Sequence, residues 1–449
     1  MRILVLSDNF PPANPGGAGA VAFAVARRLA EWGHEINVAT YGGDERFGHV
    51  SRQHGLTVHR LRSPWPRRFR LYLSLLHPWL VARIARLVRE LQPDVVHAHN
   101  LHEHLSLAAL AAARITGAPL VLTVHDYRLF CLTKFLCAGH TSAGSENRAA
   151  LANSRRIAQP DDLAVQPLTC RYCGPRLRFF PVRNRLIRWL VDRHVTALVC
   201  ISEAQRAALA ANGFHRAPLT TIHNGVDPAS CWSASGEREA WRRRHGLDER
   251  PLILFGGRIS GTKGGDQLVR ALAVARRRVD AQLAVLGENL DYLRFLEKLA
   301  DDEGVGGQVH GLGWLSGDDL RQAFAAADVI ATPSVYPDPF NLMNIEAMAH
   351  ERPVVATCYG GAPEIVVQGE TGFIADPWDE AAFGDRLATV LANRKLARAM
   401  GEAGRQRVLD RFTLDRQVSA YVSAYQGDAA WRDGSEAAGA GMKRASSES

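Results

Sequence analysis

Arg258 and Lys263 lie five positions apart in "FGGRISGTKGGDQLV", a glycine-rich turn between an apolar run and a helical pattern. An arginine fork and a lysine point charge in such a loop suit the oxygens of a diphosphate. A nucleotide-triphosphatase loop needs GxxxxGK(S/T), whereas Gly264 follows Lys263 here, so that chemistry is excluded. Asp338 and Glu346, with seven residues between them, stand in "DPFNLMNIEAMA". Asp338 ahead of Pro339 has the form of an N-cap before a first helical residue. Glu346 sits among Leu342, Ile345, Ala347, Met348 and Ala349. A carboxylate there is costly unless it is paired or meets a ligand. Adjacent sugar hydroxyls would satisfy it, as an acid satisfies ribose in dinucleotide folds.

The first half carries its own candidates. "DNFPPANPGGAGA" places Gly16, Gly17 and Gly19 between an apolar strand and a helix, where bare backbone can approach an anion. The spacing is not GxGxxG, which argues against a dinucleotide site. His125 follows the run "LVLTV". Cys131, Cys137, Cys170 and Cys173 fall in one segment after it, with His140 as a spare ligand. Four such cysteines fit either a structural tetrahedral Zn²⁺ site or free thiols, and disulfides are not expected in a reducing cytoplasm. Cys200, Cys231 and Cys358 read as isolated thiols.

These residues need a scaffold, and the hydrophobic pattern supplies one. Short apolar runs ("RILVLS", "EINVAT", "DVVHAH", "LVLTVH", "ALVCIS") alternate with helical segments, and a second series begins at "PLILFGG". Such alternation predicts α/β architecture with two doubly wound parallel sheets, whose ligands bind beyond the strands' carboxyl ends. The 449 residues divide into a first Rossmann-like domain over 1–213, with a cysteine-rich insertion at about 127–185, and a second over 214–402. A helix over 403–426 and a disordered, Gly/Ala/Ser-rich tail over 427–449 follow. No run reaches the length of a spanning helix, and the N-terminus reads as a strand rather than a leader, so a cytoplasmic protein is expected. The formal charge is +8, and residues 51–92 carry nine arginines against Glu90 alone. Trp65, Phe69, Tyr72 and Trp79 interleave with those arginines. Over 60–89 this gives either a solvated basic face or a peripheral contact with the inner face of a membrane.

Taken together and in order, "PPxxPGGAG", "GGRxxxxKG", "DPFNLMNIEAMA" and "GGAPEIVVQGETGFIADP" resemble the retaining GT-B-fold glycosyltransferases of the family 4 class, across about residues 1–425. The resemblance implies a central cleft between the two domains and a C-terminal helix crossing back to the first. It implies transfer of a sugar from a UDP-, GDP-, ADP- or dTDP-sugar to an acceptor hydroxyl, lipid-linked acceptors included, without an essential metal. Arg258 and Lys263 would neutralise the leaving diphosphate, Glu346 would hold the ribose, and Asp338 would touch the transferred sugar. Backbone N–H groups of Asn341, Leu342, Met343, Gly16 and Gly17 would face the donor, and His125 would lie beside its sugar. The family's first acid is usually Glu and its residue after Phe340 usually Gly. Asp338 and Asn341 depart from that pattern where donor hydroxyls are read. Two other functions share some features: a GT-B-fold sugar-nucleotide 2-epimerase, and a basic, zinc-bearing nucleic-acid binder. A nucleic-acid binder has no need of a diphosphate cradle.

Overall fold

A computed structural model of the chain describes residues 1–12, 16–42, 49–63, 70–136, 164, 173–177, 180–231 and 237–427. The first sheet contains β1 (Arg2–Ser7), β2 (Glu35–Tyr41), β3 (Val50–Gln53), β4 (Leu56–Leu61), β5 (Val95–His99), β6 (Leu120–Val124), β7 (Ala197–Cys200) and β8 (Leu219–Thr221). Their spatial order is β3-β4-β2-β1-β5-β6-β7-β8. The second sheet contains β9 (Leu252–Gly256), β10 (Gln282–Leu286), β11 (Val309–Gly313), β12 (Val329–Thr332), β13 (Val354–Thr357) and β14 (Gly372–Ala375), in the order β11-β10-β9-β12-β13-β14. The central strands are largely apolar and buried on both faces; Ile3, Leu4, Val5 and Leu6 expose 1% or less. Only helices on both sides can cover such strands. In each sheet the winding reverses beside its first strand, at β1/β5 and at β9/β12, so each domain opens a crevice at its carboxyl edge. This is the GT-B fold.

The helices that matter below are α1 (Gly17–Glu31), α2 (Pro78–Leu91), α3 (Arg183–His194), α4 (Gly265–Ala275), α5 (Leu342–Ala349), α6 (Arg394–Arg411) and α7 (Leu414–Gln426). Three departures from the sequence reading have local causes. β8 hydrogen-bonds to β7, so the first domain runs past residue 213 to Thr221. The stretch 403–426 is not one helix: α6 stops at Arg411, and Thr413 restarts the chain by capping Arg416 N–H at 3.3 Å. The basic segment also contains a hairpin, β3 and β4, joined by His54 and Gly55, both at positive φ as a two-residue turn requires. Arg60 lies buried in that hairpin and donates to the Pro11 carbonyl at 2.9 Å, so it does not belong to a solvated face. Residues 64–69, with Trp65 and Phe69, lie outside the described residues, as do Cys137, His140, Cys170 and the tail beyond Gly427.

The chain returns to the first domain at its end. The Leu414 N–H donates to the Val226 carbonyl at 2.8 Å and the Val226 N–H to that of Phe412 at 2.9 Å, and α7 packs with α1 on β1. Tyr421 and Tyr425 of α7 are buried; Thr123 donates to the Tyr421 hydroxyl at 3.1 Å, and the Tyr425 hydroxyl meets His97 Nδ1 at 2.6 Å. The two domains are thereby tied at a point away from the cleft.

Candidate active site

On the second domain, β9 ends at Gly256 and the turn after it projects Arg258 into solvent. Lys263 closes a single 3-10 turn, Gly261–Lys263, and Gly264 follows with φ 78°. A Cβ on Gly264 would overlap the Pro333 carbonyl oxygen, so only glycine lets this loop lie against the end of β12. Lys263 Nζ is thereby placed 2.6 Å from Asp338 Oδ2 and 5.6 Å from the centre of the Tyr336 ring. Asp338 is 6% exposed. Gly360, at φ 65°, lets the backbone of "YGG" pass directly over Asp338.

Asp338 is not the N-cap that its position before Pro339 predicts. α5 begins three residues later, and Asn341 Oδ1 accepts from Met343 N–H at 3.2 Å. Asn341 outcompetes Asp338 as cap because the buried carboxylate is held by a lysine charge from another loop. The Met343 N–H, one of the donors expected to face a ligand, is occupied by that cap here. The Glu346 side chain, one turn further along α5, is half-buried, and its carboxyl has neither a hydrogen bond nor an ion pair among the described residues; burial pushes it up to about 7.

The first domain supplies polar groups from the carboxyl ends of β1, β5 and β6. Asp8 is 2% exposed and accepts the N–H groups of Glu103, His104 and Leu105 at 2.6, 2.9 and 2.7 Å. Burial nevertheless raises it to about 6. Burial would raise Asp126 too, but the contact of His102 Nε2 at 3.2 Å and the Arg128 N–H at 2.9 Å outweigh it and hold the carboxyl well below its usual range. His125 takes Asn100 Oδ1 on its backbone N–H at 3.0 Å, and its Nε2 lies 2.9 Å from His99 Nδ1. Burial drives His125 down to about 4, so it is neutral at physiological pH.

The His99–His125 contact has a preferred direction. His99 is 1% exposed, and its Nε2 has no partner among the described residues. If Nε2 carried the proton, a donor would be buried unpaired; if Nδ1 carries it, only a lone pair goes unused, which costs less. His99 Nδ1 therefore donates, His125 Nε2 accepts, and the His125 proton sits on Nδ1. Behind them His97 stacks on His99 with ring centres 4.0 Å apart and reaches Thr123 at 2.8 Å and Tyr425, so α7 braces the row.

The two domains meet at these groups. The Arg258 guanidinium lies 3.7 Å from where a Gly16 Cβ would stand, and Leu342 lies 3.8 Å from the corresponding point on Gly17. One cavity is lined by Gly16, Asp8, His99, Asp126, Lys134 and Arg258. Of the residues sequence reasoning proposed, Gly16 and Arg258 line this cavity, whereas Gly17, His125, Lys263, Asp338, Asn341, Leu342, Met343 and Glu346 are not among its lining. That reasoning missed Asp8, His99, Asp126 and Lys134; the repeated His in "VVHAHN" at a strand end was the available signal. Of the four candidate zinc ligands, Cys131 and Cys173 are buried in one apolar cluster, and both lie close enough to Arg183 to act on its charge. Among the described residues no group of three or more metal-binding side chains comes together.

Two family models match the chain in succession: "Glycosyltransferase Family 4" over residues 15–230 and "Glycosyl transferases group 1" over 237–407. The chain belongs to the family 4-type glycosyltransferases. The enzyme is 28% identical over 441 residues to a GDP-mannose-dependent alpha-(1-6)-phosphatidylinositol monomannoside mannosyltransferase of Mycobacterium tuberculosis, covering 96% of this chain and 100% of that one. It is 34% identical over 221 residues to a D-inositol 3-phosphate glycosyltransferase of Salinispora arenicola, covering 46% and 49%. Among solved structures, Anabaena HepE in complex with UDP and glucose superposes with a TM-score of 0.69 at 22% identity, over 95% of this chain and 99% of that one. A sucrose-phosphate synthase of Thermosynechococcus elongatus gives 0.71 at 20% identity, over 95% and 99%. These two share the fold.

Proposed function

We propose that the enzyme transfers a hexose from a nucleotide diphosphate sugar to an acceptor hydroxyl with retention at the anomeric carbon, in the assembly of a glycolipid or surface polysaccharide. The observation that carries this reading is the meeting of Arg258 with the Gly16 backbone across the cleft, beside the Lys263–Asp338 pair and an unpartnered Glu346. Donor binding draws Lys263 towards the diphosphate, where it and Arg258 stabilise the charge that develops as the C1–O bond breaks. The ribose hydroxyls donate to Glu346 and stabilise its ionised form. Asp338, released from Lys263, accepts from hydroxyls of the transferred sugar.

His125, neutral and with Nε2 already engaged by His99, is badly placed to act as a base; its Nδ1–H faces the sugar as a donor. The acceptor oxygen then bonds to C1 on the face the leaving group vacates, and its proton passes to the departing phosphate oxygen. The two cations do the work a divalent metal does elsewhere, so no metal is required at the reacting centre. Cys131 and Cys173, buried in one apolar cluster, are in this reading the described half of a structural Zn²⁺ site, with free thiols as the alternative; Cys137 and Cys170 lie outside the described residues.

The acceptor is lipid-linked in this reading. α2 and α3 cover one face of the first sheet and expose Trp79 and Trp189 at 54% and 57%, with Leu76, Val182 and Leu186 also in solvent and Arg83, Arg86, Arg185 and Arg193 around them. Aromatic and basic groups together suit the interface of an anionic bilayer on the cytoplasmic side. No helix among the described residues is long and apolar enough to cross it. A screen of GDP-mannose, UDP-glucose, ADP-glucose and dTDP-glucose, read by released nucleotide diphosphate and by the anomeric configuration of the product, tests the reading. Inverted product, or release from none of the donors, overturns it.

A further inference from the structure

The loop that follows His125 and Asp126 does something the sequence motifs do not anticipate: it reaches across the cleft. Phe135 packs edge-on against Tyr336 of the second domain, with ring centres 5.1 Å apart, and Tyr336 is the ring beneath Lys263. Lys134, the neighbouring residue, lines the cavity that Arg258 enters from the other domain. Its backbone is held in the left-handed region at φ 61°, and that of Leu136 at 45°. Two such residues in one short loop are strained, and strain persists where the surroundings dictate a conformation.

The charges around Lys134 point to its partner. Three acids line the cavity, and each is already satisfied by the protein. Asp8 has its three backbone N–H groups, and Asp126 has His102, Asn100 and the Arg128 N–H. Glu103 has Arg128 at 3.1 Å and Asn9 at 3.5 Å. The Lys134 ammonium rests 5.9 Å from the Phe135 ring centre, and among the described residues it has no hydrogen-bond or ion-pair partner. Arg258 likewise has none, and the two cations repel each other across the space between them, while Asp126 and Glu103 attract Lys134 without reaching it by a hydrogen bond or ion pair. Two unpaired cations facing one cavity, with every acid beside them satisfied, make a site for an anion.

We propose that Lys134 is the first domain's cation in a phosphate-binding cradle completed by Arg258. The phosphate comes from a bound substrate, either the donor's diphosphate or an anionic group on the acceptor. The inference rests on the glycosyltransferase reading and adds a substrate-binding residue to it. The contact of the adjacent Phe135 with Tyr336 holds Lys134 beside the second domain.

Full-length Lys134→Gln and Lys134→Arg proteins test this against the wild type. Each is titrated calorimetrically with UDP, GDP, ADP and dTDP, and then with inorganic phosphate in the presence of saturating nucleotide. A neutral side chain is expected to weaken binding by about tenfold or more, and arginine to restore most of it. Loss confined to the nucleotide assigns the cradle to the donor diphosphate. Loss confined to phosphate on the nucleotide-saturated enzyme assigns it to the acceptor. Unchanged affinity for both in a Lys134→Gln protein of wild-type thermal midpoint overturns the proposal. If the wild type binds no nucleotide but binds phosphate through Lys134, the donor reading falls and the cradle stands.

Discussion

Glu346→Gln separates stability from function at one carboxyl group. Burial lifts that group from 4.5 to about 7. Between those values the folded protein keeps a proton that the unfolded chain has released, so stability falls as pH rises through this window and stays lower above it. The whole displacement corresponds to ~3 kcal/mol, reduced to ~2 kcal/mol because the side chain keeps some contact with water. Glutamine has nearly the same shape and no charge to bury. The variant is therefore expected to melt with the wild type at pH 4.5 and above it at pH 8, by roughly 4–8 °C for a domain of this size. The same change removes a charged acceptor from the ribose hydroxyls, so nucleotide affinity should fall by about tenfold to a hundredfold. Binding to the wild type at pH 7 should also release part of a proton, which the variant cannot do. Thermal melts from pH 4.5 to 8.5, with calorimetry in buffers of different ionisation enthalpy, read all three effects. Parallel melting curves for the two proteins across that range would refute the assignment of a strained, unpartnered carboxyl. Equal nucleotide affinity would refute its role at the ribose.

The other predictions concern the groups around it. Lys263→Met leaves the buried Asp338 carboxylate with only the Tyr336 hydroxyl and should cost about 2–4 kcal/mol, most of which Asp338→Asn in the same protein should recover without restoring turnover; additive losses in the melting data would show that the two side chains are not a pair. Gly264→Ala places a Cβ against the Pro333 carbonyl at a left-handed position. It should lower stability by about 1–3 kcal/mol and abolish diphosphate binding, and an unaltered nucleotide titration would refute the loop's role. The protein as purified should carry one zinc per chain by elemental analysis, lost in Cys131→Ser and Cys173→Ser; a metal-free protein with full activity would rule that site out.

The alternation of apolar runs with amphipathic segments made two doubly wound domains legible in the sequence. Strands buried on both faces are apolar throughout, and that pattern is local. The glycine turns after β1 and β9 were legible for a similar reason: at Gly19 and Gly264 a Cβ would run into the Asn9 and Pro333 carbonyl oxygens. Glu346 could be singled out because a lone acid in an apolar helix has few innocent explanations. Other features depended on partners far away in sequence. Asp338 looked like a helix cap, and only the approach of Lys263, 75 residues earlier, left capping to Asn341. His125 looked like either a base or a bystander. Its proton position follows from His99, a neighbour on the next strand whose other nitrogen is buried without a partner. Lys134 carried no motif at all, and its meaning arises where Arg258 faces it across the cleft. The sequence by itself determined the scaffold and the side chains that could meet a diphosphate, because periodicity and residue type are local properties. Tertiary structure alone decided which charges are paired, which are not, and which proton is held where, because those depend on distances between strands and domains that no spacing along the chain encodes.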